Sequence, residues 1–172
     1  RRIDPSRLYL TAERAEEAFL AIISEDASPI QVAALLMGLR TRGILPAEVA
    51  GGVRALRKVM VPVAAERPEE LIDTCGTGGG TVTTFNISTA SAFVAAGAGL
   101  TVAKHGNRSV SSRSGSADVL ASLGVNIEAG VKLVEECISE AGIGFLFAPS
   151  LHGAMKHAAP VRRAIGIRTI FN

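Results

Sequence analysis

Carboxylates are the first scarcity in this sequence. No Asp or Glu occurs between Thr74 and Ala117, nor from Ala141 onward, although Lys104, Arg108, Arg113, Lys156, Arg162, Arg163 and Arg168 lie in those stretches. Cations without acids beside them suit an anionic small molecule or a nucleic acid. Aromatics are scarce too: no Trp, one Tyr and six Phe. A surface that stacks on bases needs more rings, which speaks against a nucleic-acid partner. The two cysteines, Cys75 and Cys137, fall in no metal-binding spacing and make no disulfide framework, as expected in a reducing cytoplasm. Long apolar runs are missing as well. The longest, "AFVAAGAGLTVA" (92–103), falls short of the roughly 20 residues a membrane helix needs, and "RRIDPSRLYL" lacks the apolar core of a secretory signal. A soluble, cytoplasmic protein without membrane contact is expected.

What remains is small and apolar. Hydrophobic residues make up 48% of the chain, alongside 18 glycines. This composition suits close helix packing and backbone approach to a ligand. Residues 11–25 read as a helix capped by Thr11, with Ala15, Ala18, Phe19, Ile22 and Ile23 at helical spacing. "SPIQ" opens a second helix, with Ser28 as cap, Pro29 in the first turn and Gln31 completing a capping box; Gly43 ends it. A third runs from Pro46 to about Met60, with Val49, Val53, Leu56 and Met60 on one face. An all-helical N-terminal domain is expected over residues 1–66.

After "VPVAAERPEE" the period changes. Short apolar runs at 71–73, 100–104 and 143–148 alternate with helical patterns at 88–98, 117–123 and 131–141. Three parallel strands joined by helical crossovers are expected, forming an α/β domain over residues 67–172. Ligands of such sheets bind beyond the carboxyl ends of the strands. The loops at 74–87 and 105–116, and "APSLHGAMKHAAPVRR" after the third strand, would meet there.

Each loop carries groups suited to an anion. "GTGGG" (76–80) offers backbone N–H groups to phosphate oxygens, or serves as a tight turn; it is neither a dinucleotide fingerprint nor a Walker A loop. In "NISTAS" (86–91), Ser88 and Thr89 are natural helix caps, and a hydroxyl there can also sit on a metal ion. Lys104 and Arg108 can meet phosphates, and Asn107 with the serines 111 to 116 can donate to ribose or phosphate oxygens. His105 is a general base or a shape residue, and the spacing of His152 and His157 does not suit zinc. With no nucleophile in view, the chemistry reads as positioning and stabilising a leaving phosphate.

"GTGG" (76–79), "NIST" (86–89), "KHGNRSVSS" (104–112), "SGSAD" (114–118) and "PVR" (160–162) resemble, in order and spacing, the anthranilate phosphoribosyltransferases. The helical start is similar too. The resemblance implies a nucleoside phosphorylase/phosphoribosyltransferase class III-like fold and a cytoplasmic homodimer formed through the N-terminal helices. The implied reaction belongs to tryptophan biosynthesis: phosphoribosyl transfer from phosphoribosyl pyrophosphate to anthranilate, with Mg2+. It implies that Gly76, Gly79, Gly80, Thr84, Asn86, Ile87, Ser88, Thr89, Lys104, His105, Gly106, Asn107, Arg108, Ser109, Val110, Ser111, Ser112 and Ser116 hold the donor. Ser88 would also touch the metal, and Gly76, Asn107 and Arg162 would hold anthranilate. Two departures stand out. Gly80 replaces the Asp that usually follows "GTGG", and the family's distal Asp-Glu metal pair has no counterpart here, so the α/β domain is expected to be truncated or completed by another polypeptide. Two alternative readings are a pyrimidine nucleoside phosphorylase-like enzyme, which shares the fold, and a non-catalytic nucleic-acid-binding relative.

Overall fold

The structure, a computed structural model, describes residues 9–76, 84–109, 114–151, 153–167 and 169. It divides into two compact units, one comprising Arg1–Met60 with His152–Asn172, the other Val61–Leu151. The chain leaves the helical unit after Met60, six residues ahead of the expected boundary, and returns to it after Leu151.

In the helical unit, α1 (Ala12–Ile23), α2 (Pro29–Arg42) and α3 (Pro46–Val59) follow the capping signals. The Thr11 hydroxyl accepts the Arg14 N–H at 3.3 Å. Ser28 accepts the Gln31 N–H at 3.4 Å, and Gln31 Oε1 accepts the Ser28 N–H at 2.8 Å, so both orphan donors are met. Phe19, Leu39 and Ala55 form one core cluster; Ile22, Val32, Leu36 and Ala158 form another. Large aliphatic or aromatic side chains buried this way stabilise by about 1.5–3 kcal/mol each.

The expected apolar face of α3 is not the one that packs. Glu48, Gly51, Gly52 and Ala55 are buried, while Val49, Val53 and Met60 stand about two-fifths exposed. The reason is close approach. A Cβ on Gly51 would lie 2.3 Å from the Ala12 carbonyl oxygen, so α1 and α3 touch nearly backbone to backbone, which excludes larger side chains.

Glu48 is fully buried but well served. Its carboxylate pairs with both terminal nitrogens of Arg42 and accepts the N–H groups of Leu10 and Leu45, each at 2.9 Å. Burial alone would raise its pKa; Arg42 and the two backbone donors outweigh that and hold the carboxyl below its usual range.

The second unit is built on α4 (Ile87–Gly97), β1 (Val102–Gly106), α5 (Ser116–Ser122), α6 (Val131–Ala141), β2 (Ile143–Phe147) and the short α7 (Ala148–Leu151). Strands β1 and β2 are parallel, in register from Val102↔Ile143 to Gly106↔Phe147. The third strand expected at 71–73 reduces to one parallel bridge, Ile72↔Val102. Its ladder consists of Ile72 N–H to Thr101 O and Ala103 N–H to Ile72 O, at 3.0 and 2.9 Å. Pro68 and the 3-10 turn Pro68–Glu70 delay its entry, and the chain turns away at Asp73, so no length is left for a ladder. Ala117, Leu120, Ile127 and Phe147 close the core beside this sheet, with Phe145 packed on them.

The segment after β2, expected as a loop, is helical. It forms α7, a 3-10 turn Gly153–Lys156 and α8 (Ala158–Ile165). α8 belongs to the helical unit, where Ala158 joins Ile22, Val32 and Leu36, and Val161 and Ile165 pack against them. No helix of the described residues is long and apolar enough to cross a membrane.

Candidate active site

Alternation along β1 sets the site. Val102, Lys104 and Gly106 point into the unit, whereas His105 faces out. Lys104 is therefore 2% exposed although it carries an ammonium. Burial pushes its pKa down, and the charges of Asp73 and Cys75 push back. A cation in that setting favours an anion brought to it.

The segment after Ile72 folds over the end of β1. Asp73 Oδ1 accepts the Cys75 N–H at 3.0 Å, a turn closed by a side chain. The other carboxylate oxygen stands 2.8 Å from His105 Nδ1. Desolvation would raise the Asp73 pKa, but the hydrogen bonds from His105 and Cys75 hold it below the usual range. Burial, and then Asp73, push the Cys75 thiol up. The Thr74 hydroxyl donates to the Ser88 carbonyl at 2.6 Å, tying this segment to the first turn of α4.

A second tie joins the loops ahead of α4 and α5. Asn86 Nδ2 donates to the Ser114 carbonyl at 3.2 Å. The α5 loop is itself drawn shut by Asp118. One of its oxygens accepts the N–H groups of Ser109 and Gly115, at 2.9 and 2.8 Å, and the other meets the Arg108 guanidinium at 3.4 Å. Those two backbone bonds come first in holding the Asp118 carboxyl below its usual range. Gly115 permits the closure. A Cβ there would lie 2.5 Å from the Asn107 carbonyl oxygen and from the Ser109 nitrogen.

Among the expected site residues, Asn86, Ser88, Lys104, His105, Gly106, Asn107, Arg108, Ser109 and Ser116 belong to these tied loops and the strand between them. Gly76 and Thr84 are exposed at the ends of the described segments, and Ile87 opens α4, half exposed. Gly79, Gly80, Val110, Ser111 and Ser112 lie outside the described residues. Arg162 sits on α8 of the helical unit, where burial pushes its pKa down. Neither Ser88 nor Thr89 caps α4; the helix begins at Ile87 with Asn86 in the cap position. Thr89 instead turns inward, 3% exposed, its hydroxyl without a partner among the described residues.

Two acids that the sequence reading left without a role turn out to organise the site. Asp73 and Asp118 are the residues immediately bounding the acid-free stretch. The signal for Asp118 was a Gly-x-x-Asp spacing ahead of a helix; Asp73 gave no comparable signal.

For a hard cation such as Mg2+, Ser88 supplies one hydroxyl oxygen at the start of α4. That fits an ion that takes its other ligands from a phosphate and water. The mixed group of Asp73, Cys75 and His105 does not fit it, because Mg2+ takes oxygen ligands.

Residues 68–172 match the glycosyl transferase family a/b domain, and residues 6–60 match that family's helical bundle domain. The anthranilate phosphoribosyltransferase of Thermomicrobium roseum is 55% identical over 163 residues, covering 95% of this chain and 47% of that protein. The crystal structure of anthranilate phosphoribosyltransferase from Thermus thermophilus aligns with a TM-score of 0.84 at 44% identity, over 95% of this chain and 49% of that one. The Saccharomyces cerevisiae enzyme in complex with PRPP and Mg aligns at 0.80 and 28% identity, over 94% of this chain and 48% of that one. The chain thus spans about half the length of the relatives it matches.

Proposed function

The chain belongs to the glycosyl transferase family whose helical bundle and a/b domains it matches, and from that premise we propose that it serves phosphoribosyl transfer from phosphoribosyl pyrophosphate to anthranilate. The observation that carries this reading is the buried Lys104 ammonium, the central residue of β1, on the strand that leads into loops tied together through Asn86 and Ser114. A buried cation beside backbone-rich, hydroxyl-rich loops suits a polyanion whose charge grows as its bond breaks.

In this reading Lys104 draws the pyrophosphate in as a point charge. Asn107, Ser109 and Ser116, with Gly76 and Thr84, offer donors to ribose and phosphate oxygens. Arg108, held by Asp118, contributes positive field at the rim. Ser88 would hold Mg2+, which when bound neutralises the departing pyrophosphate. His105, oriented by Asp73, keeps one ring nitrogen directed away from that carboxylate. Arg162 is the candidate partner for the acceptor's carboxylate, which a guanidinium meets as a fork. A second copy of the chain would meet the helical unit, where Val49, Val53 and Met60 stand partly exposed.

The test is anthranilate fluorescence. Mixing the protein with anthranilate, phosphoribosyl pyrophosphate and Mg2+ should consume the signal, and omitting the donor should preserve it. Anthranilate that persists in the full-length protein, with the donor present, would overturn the reading.

A further inference from the structure

Asp73, Cys75 and His105 bring three different ligand types to one place. Their nearest ligating atoms, a carboxylate oxygen, Sγ and a ring nitrogen, all lie within 4.8 Å of one another. The arrangement is held from two sides. Asp73 and Cys75 share one turn through the Cys75 N–H, and His105 is fixed at the end of β1 with Nδ1 toward Asp73. All three residues are exposed.

We propose that this cluster is a binding site for one thiophilic divalent cation of the Zn2+ class. Such ions take thiolate, imidazole and carboxylate in tetrahedral sites, with bonds of about 2.0–2.3 Å. Ligand atoms on one ion then stand about 3–4 Å apart by those lengths, so the cluster needs only a modest inward turn of exposed side chains. The two anionic ligands match the charge of the ion, and three protein ligands leave the fourth position open, as in a catalytic rather than a structural zinc site. On binding, the Cys75 thiol gives its proton to solvent. His105 coordinates through Nδ1 as the neutral ring carrying its hydrogen on Nε2, and the hydrogen bond to Asp73 is replaced by two metal bonds. No electron transfer is involved. Lys104, next to His105 on β1, opposes the cation by its charge. The ion would share His105 with the proposed donor site, and its binding is read with no phosphoribosyl donor present.

The test uses Co2+ as a spectroscopic substitute and Zn2+ as competitor, on reduced, full-length protein. Wild type should develop a thiolate-to-cobalt charge-transfer band that saturates at one equivalent and is abolished by Zn2+. Cys137→Ser should keep the band and Cys75→Ser should lose it. His105→Ala or Asp73→Asn should weaken binding about tenfold or more, the scale on which loss of supporting contacts is felt at metal sites. A wild-type protein with no such band, or a band that survives Cys75→Ser, overturns the proposal. Circular dichroism of each variant separates loss of the site from loss of the fold.

Discussion

The side-chain amide of Asn86 donates to the main-chain carbonyl of Ser114 across 3.2 Å, joining two loops 28 residues apart in the chain. The carbonyl it holds belongs to the same turn that Asp118 closes. Positioning in this protein is therefore distributed over polar contacts between loops, each of modest strength.

Asn86→Ala should loosen the α4 and α5 loops without unfolding the unit. One such hydrogen bond is worth about 0.5–1.5 kcal/mol, so KM for the phosphoribosyl donor should rise about two- to tenfold with the melting temperature little changed. Steady-state kinetics beside a thermal melt reads both. A large fall in melting temperature with unchanged KM would mean that the contact is merely structural.

Lys104 carries a pH signature. Burial sets its pKa below the ordinary lysine value, so the ammonium is lost earlier as pH rises. Affinity for pyrophosphate should then be greatest on the acid side of that lowered pKa and fall as pH climbs through it. Lys104→Met should bind about ten- to a hundredfold more weakly, the worth of a charge-assisted contact, and should lack this alkaline decline. Calorimetric titration over a pH series distinguishes the two proteins.

Gly115→Ala places a methyl group against the backbone of Asn107, Arg108 and Ser109. Backbone cannot swing aside as a flexible side chain can, so the turn must open. The N–H contacts of Ser109 and Gly115 with Asp118 should lengthen together, and donor binding should weaken more than in Asn86→Ala. Amide chemical shifts of Ser109 and Gly115 report the opening directly; unmoved shifts would sink the idea.

In the helical unit, Glu48→Ala leaves Arg42 and two backbone N–H groups facing a void. Removing one member of a buried pair costs about 3–5 kcal/mol. Because the Glu48 carboxyl is held low, its contribution is present above its unfolded pKa and is lost as pH falls through the lower folded one. Wild type and Glu48→Ala should therefore differ most in denaturant stability near neutral pH and converge in acid.

The helices were legible because their ends are written locally: Thr11, Ser28 with Pro29 and Gln31, Gly43, Gly124 and Gly142 each act within one turn. Strands β1 and β2 were legible as apolar runs between turn signals, with ends displaced by a residue or two. The packed face of α3 was not, since periodicity of large apolar residues points away from a surface chosen for small ones. Nor was the shortness of the pairing at Ile72, where the strand expected at 71–73 reduces to one bridge because of where the chain turns. Of the site, the donor-rich loops announced themselves, and relatives with the proposed activity resemble the chain in both domains. Of the acids that shape those loops, Asp118 was marked only by its spacing from Gly115, and Asp73 was silent because its partners are a backbone N–H and a histidine 32 residues away.

That single bridge at Ile72 has a bearing on motion. Two backbone hydrogen bonds anchor the segment that carries Asp73 and Cys75, whereas β1 and β2 share a five-residue register. Local opening is cheapest where pairing is sparse. In hydrogen exchange the Ile72 amide should trade with solvent well before those in the middle of β1. Each opening that frees it also carries the Asp73 carboxylate off His105. The sheet's edge and the imidazole's orientation thus share one local equilibrium, and a ligand that steadies either protects both.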